Sequence, residues 1–131
     1  MVLDTNVWIS ALQFGTALGT PSRALERAMV EDVIGTCLEI ESEIIRVLVS
    51  KFHWEHEQAE AVLGTVLARS IRVSLRGNVK VCRDADDDMF LETAVRARAS
   101  LLIAGDKDLL VLGSYKGVRI VTPAEYVRLA V

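Results

Sequence analysis

The chain has few aromatic residues, 5% of its 131, against a hydrophobic share of 51%. Its core must therefore be aliphatic, built from Val, Ile, Leu and Ala. No apolar run approaches the roughly 20 residues that a membrane-spanning helix needs, so no membrane association is expected. The opening "MVLDTN" has no basic segment followed by an apolar one, so no secretory leader is expected and the cytoplasm is the expected compartment. Cysteine is scarce too. Cys37 and Cys82 stand in no metal-ligand spacing with each other or with His53 and His56. The two histidines fall in one charged helix start, "FHWEHE", and read as surface residues, so neither a Cys–His nor a Ser–His nucleophile is available. Basic excess is also missing. A net charge of −3 argues against holding nucleic acid by bulk electrostatics. It does not exclude a nucleic-acid substrate, because an acidic cluster that binds divalent cations reverses its own sign locally.

The pattern that is present alternates strands with helices along one domain, residues 1–131. Val2 and Leu3 end a first strand at Asp4, and "VWISAL" (7–12) reads as a helix followed by a loop, "FGTALGT". Thr20-Pro21 is a helix entry, with the proline at the first helical position. "VIGT" (33–36) is β-like. In "LEIESEIIRVLVSKF", Ile40, Ile44, Val47 and Leu48 recur at helical period. A further helix is expected over 57–69, an extended stretch over 71–75 and a turn at Gly77-Asn78. "LLIAGD" is a continuous apolar strand ending in an acid. "VRIVTPAEYV" gives a last strand and a last helix, with Thr122 as N-cap, Pro123 first and Glu125 closing a capping box. Such alternation implies an α/β domain with a central, mainly parallel sheet flanked by helices.

Function in such sheets gathers at the carboxyl ends of the strands. Asp4 follows the first strand and Asp106 follows "LLIAG". A single strand-end acid is explained as a loop cap, whereas two, with helix acids nearby, point to a site. Glu43 lies in the row holding Ile40 and Val47. A carboxylate aimed inward there costs several kcal/mol unless paired or metal-bound; skirting the core remains the alternative. "RDADDDMFLETA" (83–94) puts four aspartates in five positions at a helix start. With Asp84 as N-cap, Asp86 and Asp87 favour the helix dipole by about 0.3–1 kcal/mol each. Asp88 continues into a stripe with Leu91 and Val95. Asp87 also points inward, above Phe90, Leu91 and Ala94, so both acids stay open.

These residues together resemble the PIN-domain nucleases, and within them the toxin components of bacterial toxin–antitoxin systems. "VLDTNVWISAL", "SEIIRVL", "RDADDDMFLETA" with "LLIAGDKDLL", and the closing "VRIVTPAEYV" carry the resemblance over nearly the whole chain. It implies a PIN-like α/β/α fold. It implies that Asp4, Glu43, Asp88 and Asp106 form a catalytic pocket for Mg²⁺ or Mn²⁺, with Asp108 as an accessory acid and Asn6 steadying the first acid or a metal's water. Asp88 is preferred to Asp87 because it stands eighteen residues before Asp106, the family's usual spacing. Hard divalent cations suit such oxygen ligands, and four crowded carboxylates raise one another's pKa values without one. The implied activity is hydrolysis of an RNA phosphodiester, with water attacking in line and a 3′-hydroxyl leaving. The resemblance also implies a protein antitoxin and a homodimer. One departure stands at Ala104, where the family often carries Thr or Ser. A catalytically weak PIN-like module that binds RNA or protein is the alternative that this departure favours. Phosphoacceptor and dehalogenase-type sites fit less well, since the former needs its Asp at a middle strand and "DTN" lacks the second acid of Asp-x-Asp. Arg69, Arg72, Arg76, Lys80 and Arg83 form a basic series that reads either as a phosphate contact or as a solvated face, and Trp8 and Trp54 read as base-stacking or packing residues.

Overall fold

A computed structural model describes residues 1–13 and 20–129. The loop expected over 14–19 lies outside the described residues. The elements run β1 (Val2–Leu3), α1 (Thr5–Gln13), α2 (Thr20–Glu31), β2 (Gly35–Thr36), α3 (Leu38–Phe52), α4 (His56–Val66) and β3 (Ile71–Arg72). After a 3₁₀ turn (Ala85–Asp87) come α5 (Asp88–Arg96), β4 (Leu101–Ile103), α6 (Lys107–Leu110), β5 (Ser114–Tyr115), β6 (Val118–Val121) and α7 (Pro123–Arg128). The main sheet has the order β1-β4-β6-β5, with β1, β4 and β6 parallel. β2 and β3 form a parallel pair, joined to β1 where Gly35 N–H donates to the Met1 carbonyl at 2.7 Å. The result is the mainly parallel sheet flanked by helices that the alternating pattern implies.

Register sets the level of the site. Leu3, Ile103 and Val121 stand side by side, so β1 and β4 end on the same row. Their buried side chains join Val2, Leu102, Leu91, Ile40, Ile44 and Leu48 in the aliphatic core that the composition requires. The final helix has the expected capping box, with Glu125 N–H on Thr122 Oγ1 and Thr122 N–H on Glu125 Oε1. The 3₁₀ turn, α6 and β5 go beyond the sequence reading. β5 pairs with β6 through a two-residue turn, Lys116-Gly117, both at positive φ, the conformation that suits a tight hairpin. The extended stretch at 71–75 supplies only two strand residues, and the chain from Val73 to Asp84 is irregular.

That irregular connector is fastened to α5 by two buried acids one helical turn apart. Asp88 Oδ1 accepts from Val81 N–H and Cys82 N–H at 3.0 and 2.8 Å. Glu92 accepts from Arg76 N–H at 2.6 Å and Gly77 N–H at 3.0 Å, and pairs with Arg96 at 2.7 Å. Burial pushes the Glu92 carboxyl up, but the Arg76 N–H, the Arg96 guanidinium and the Gly77 N–H outweigh it and hold the group below its ordinary value. A depressed folded pKa contributes stability that is complete above the unfolded value, about 4.3, and is lost as pH falls through the folded one. Glu92→Gln is therefore expected to cost about 2 kcal/mol at neutral pH, because the half-buried Arg96 loses its counter-charge and a backbone donor loses its acceptor. Urea denaturation at falling pH should show this deficit shrinking below about pH 4. A deficit that stays constant down to pH 2.5 would contradict the assignment.

Candidate metal centre

Asp4, only 2% exposed, leaves β1 and opens α1. Its Oδ1 accepts from Val7 N–H at 2.8 Å, as an N-cap does. Its Oδ2 accepts from Gly105 N–H at 2.8 Å and Asp106 N–H at 3.2 Å. One carboxylate thus caps α1 and holds the loop after β4. Burial raises its pKa against these three donors, and the Asp106 charge adds to the rise. Asp106 in turn caps α6, its Oδ1 accepting from Asp108 N–H at 2.7 Å. Strand-end cap and site residue are the same group here.

The four aspartates divide by geometry. Asp84 caps the 3₁₀ turn by accepting from Asp86 N–H at 3.0 Å, and both acids are exposed. Asp87 and Asp88 are each 8% exposed but face different neighbours. Asp87 lines the pocket at the strand ends, and its carboxylate comes within 4.8 Å of those of Asp106 and Asp108. Asp88 does not join them: it lines a separate groove with Lys80 and Glu92, its carboxylate engaged by the connector. The structure therefore puts Asp87, not the spacing-preferred Asp88, beside Asp106. The reason is local. The segment begins with a 3₁₀ turn, whose residues advance about 120° rather than about 100° each, so the facing of the acids departs from that of one continuous α-helix.

Electrostatics sharpen the division. Burial and then the charges of Asp106, Asp84, Asp108 and Asp4 push the Asp87 carboxyl up to about 7. Burial also works against Asp88, yet the N–H groups of Cys82 and Val81 and the Cys82 thiol bring its pKa below the ordinary value. The thiol responds in the opposite sense. Burial and the neighbouring Asp88, Asp87 and Asp106 push Cys82 up to about 12, so it is no nucleophile.

The pocket encloses about 450 Å³ and opens to solvent. Asp4, Asp87, Asp106 and Glu43 all line it. Glu43 is half-buried. Thr5 Oγ1 donates to its Oε2 at 3.0 Å, while Arg46 approaches its Oε1 at 3.8 Å. Asn6 lines the pocket from α1 and is exposed. Ala104 is buried and is not among the lining residues. None of the five basic residues from Arg69 to Arg83 lines the pocket, and Arg72 is committed to Glu41 through two bonds of 2.9 and 2.6 Å. The cations there are Arg46 and Lys51 of α3, which the sequence reading passed over, as it did Thr5. Trp8 is buried, and Trp54 Nε1 donates to Gln13 at 3.1 Å.

The residues fit a divalent cation on an observation independent of their number. Asp87 Oδ2 is buried and has no hydrogen-bond partner among the described residues. A buried carboxylate oxygen without a donor, facing other carboxylates, is costly unless a cation meets it. An all-oxygen donor set suits a hard ion such as Mg²⁺ or Mn²⁺. The pocket thus places its acids across the ends of parallel strands in a mainly parallel α/β sheet. A family model described as a PIN domain matches residues 1–108. The chain belongs to the PIN domain family, whose members are generally metal-dependent nucleases. It is also similar to an uncharacterized protein of Methanocaldococcus jannaschii, 30% identical over an alignment of 117 residues that covers 86% of this chain and 74% of that one.

The two adjacent aspartates should respond oppositely to neutralisation in metal-free buffer. Asp87→Asn removes a repelled, unpartnered charge and should stabilise the protein by about 1 kcal/mol at pH 8. Asp88→Asn weakens two charge-assisted bonds to backbone and should destabilise it by about 1–3 kcal/mol. Urea midpoints with a chelator present decide it. The same sign for both variants would contradict the division.

Proposed function

We propose that the protein is a Mg²⁺- or Mn²⁺-dependent endoribonuclease, acting in the cytoplasm as the toxin of a toxin–antitoxin pair. The observation that carries the enzyme reading is the buried, unpartnered oxygen of Asp87, set in a group with Asp106 and Asp108 and beside Asp4 and Glu43. Asp87 and Asp106 would hold the cation, with Asp108 as a third ligand. When bound, the ion supplies positive charge that polarises a phosphodiester and an attacking water. Asp4 anchors the arrangement through its three backbone donors rather than moving within it. Glu43 is oriented by Thr5 and also lines the pocket, where its carboxylate can hold a water. The toxin role, a protein antitoxin and self-association rest on the resemblance of the motifs to that subgroup.

Mn²⁺ titration followed by thermal unfolding, with RNA cleavage assayed in parallel, tests the reading. Mn²⁺ should raise the unfolding temperature of the wild type reversibly, since an ion that binds only the folded state stabilises it. Asp87→Asn should abolish that rise and lower cleavage on the order of 100-fold or more. Asp88→Asn, assayed well below its unfolding temperature, should keep most of both. Stabilisation without cleavage would favour the RNA- or protein-binding module instead. Neither stabilisation nor cleavage would refute the enzyme.

A further inference from the structure

The acids define where a phosphate would react, but the sugar attached to it needs a surface of another kind. The charged lining of the pocket is mostly acidic, with Arg46 and Lys51 as its cations. Three lining residues are polar and uncharged, Thr5, Asn6 and Ser10, and all stand on α1. Thr5 is committed to Glu43, whereas the side chains of Asn6 and Ser10 have no hydrogen bond among the described residues. From this wall we infer that Ser10 hydrogen-bonds the 2′-hydroxyl of the ribose beside the reacting phosphate, and so makes the site select RNA over DNA. The inference rests on the nuclease reading and deepens it by naming the substrate group that is read and the side chain that reads it.

Placement comes first. Asp4 caps α1, so the helix axis runs away from the acids. Asn6 and Ser10 are four residues apart and share one face of that helix. Ser10 stands about 9 Å along the axis from Asp4, the reach of a phosphate held at the acids together with its adjoining sugar. Solvation alone explains Asn6, which is exposed, but Ser10 is half-buried in the pocket wall.

The Ser10 hydroxyl is also uncommitted. Serine and threonine within helices can bond back to the carbonyl four residues earlier. Ser50 does so onto Arg46 at 2.6 Å, Thr65 onto Ala61 at 3.0 Å and Thr93 onto Met89 at 2.7 Å. Ser10 makes no such bond onto Asn6 among the described residues. Its donor and its lone pairs are therefore free within the pocket.

The chemistry of the ligand follows from charge. Carboxylates repel a phosphate wherever no cation intervenes, but they do not repel a neutral sugar. A nucleic-acid strand alternates the two, and the uncharged wall of α1 suits the uncharged unit. The 2′-hydroxyl both donates and accepts, as a serine hydroxyl does. DNA carries only hydrogen at that carbon and leaves Ser10 without its partner, and a site that bonds a substrate hydroxyl disfavours the analogue lacking it. Because the contact is to sugar, it discriminates RNA from DNA whatever the base.

The test measures binding by fluorescence anisotropy at low salt in the full chain carrying Asp87→Asn, so that cleavage does not intervene. The probes are labelled oligouridine and oligodeoxyuridine of equal length, which differ only at the 2′ position. Oligouridine should bind about 5-fold or more tightly. Adding Ser10→Ala should weaken oligouridine binding by about that factor and leave oligodeoxyuridine unchanged, so that the preference is lost. Ser10→Thr, which keeps the hydroxyl, should retain the preference. An equal loss on both probes would mark a general packing role and overturn the inference. Equal affinity of the Ser10 protein for the two probes, or no measurable binding of oligouridine, would overturn it as well. The nuclease reading fails by a different sign, the absence of Mn²⁺ stabilisation and cleavage in the wild type.

Discussion

The Asp4 carboxylate is the joint on which the site is hung. It accepts one N–H from the first turn of α1 and two from the loop that follows β4, so it ties together two strand ends that are a hundred residues apart in sequence. The parallel pairing of β1 with β4 brings it to that place, and Asp4 N–H continues the ladder onto the Ile103 carbonyl at 3.0 Å. With both oxygens engaged, Asp4 is held still. Asp106, whose backbone it holds, is thereby fixed opposite Asp87, and the negative charge of the pocket is set by fold rather than by flexible side chains.

That confinement is balanced by how α5 uses its own acids. Asp88 and Glu92 lie one turn apart and bind backbone N–H groups of the connector, which gives each charge donors and lowers its pKa. Asp87 receives no such help on Oδ2 and lies nearest the other carboxylates. The helix therefore has two faces of acid. One is spent on fastening an irregular segment that has few strand bonds of its own; the other is left in electrostatic debt that a divalent cation relieves. The PIN domain family match spans residues 1–108, which include every acid of the pocket as well as Asp88 and Glu92.

Much of this was legible in the sequence. Asp4 and Asp106 announce themselves because an apolar strand that stops at an acid is a local signal, and the capping box at Thr122 needs no tertiary information. Glu43 is marked by its place in an apolar row. The choice between Asp87 and Asp88 was not legible. It turns on a 3₁₀ turn at 85–87 and on two N–H groups of a connector whose path no periodicity reveals. The same blind spot hid Glu92, which reads as an ordinary helix acid until Arg76 and Gly77 are seen beside it. Arg46 and Lys51 were overlooked for another reason. The Arg69–Arg83 series is more conspicuous along the chain, but proximity to the pocket is decided by how α3 packs against α1, a tertiary fact. β5 escaped because two residues are too few to show a period.

The central claim is that the pocket around Asp87 and Asp106, and not the groove around Asp88, is built for a divalent cation. Anomalous diffraction from crystals grown with Mn²⁺ tests it most directly. The account predicts one strong peak in contact with carboxylate oxygens of Asp87 and Asp106. A peak on Asp88, or a pocket without any at saturating Mn²⁺, would contradict it.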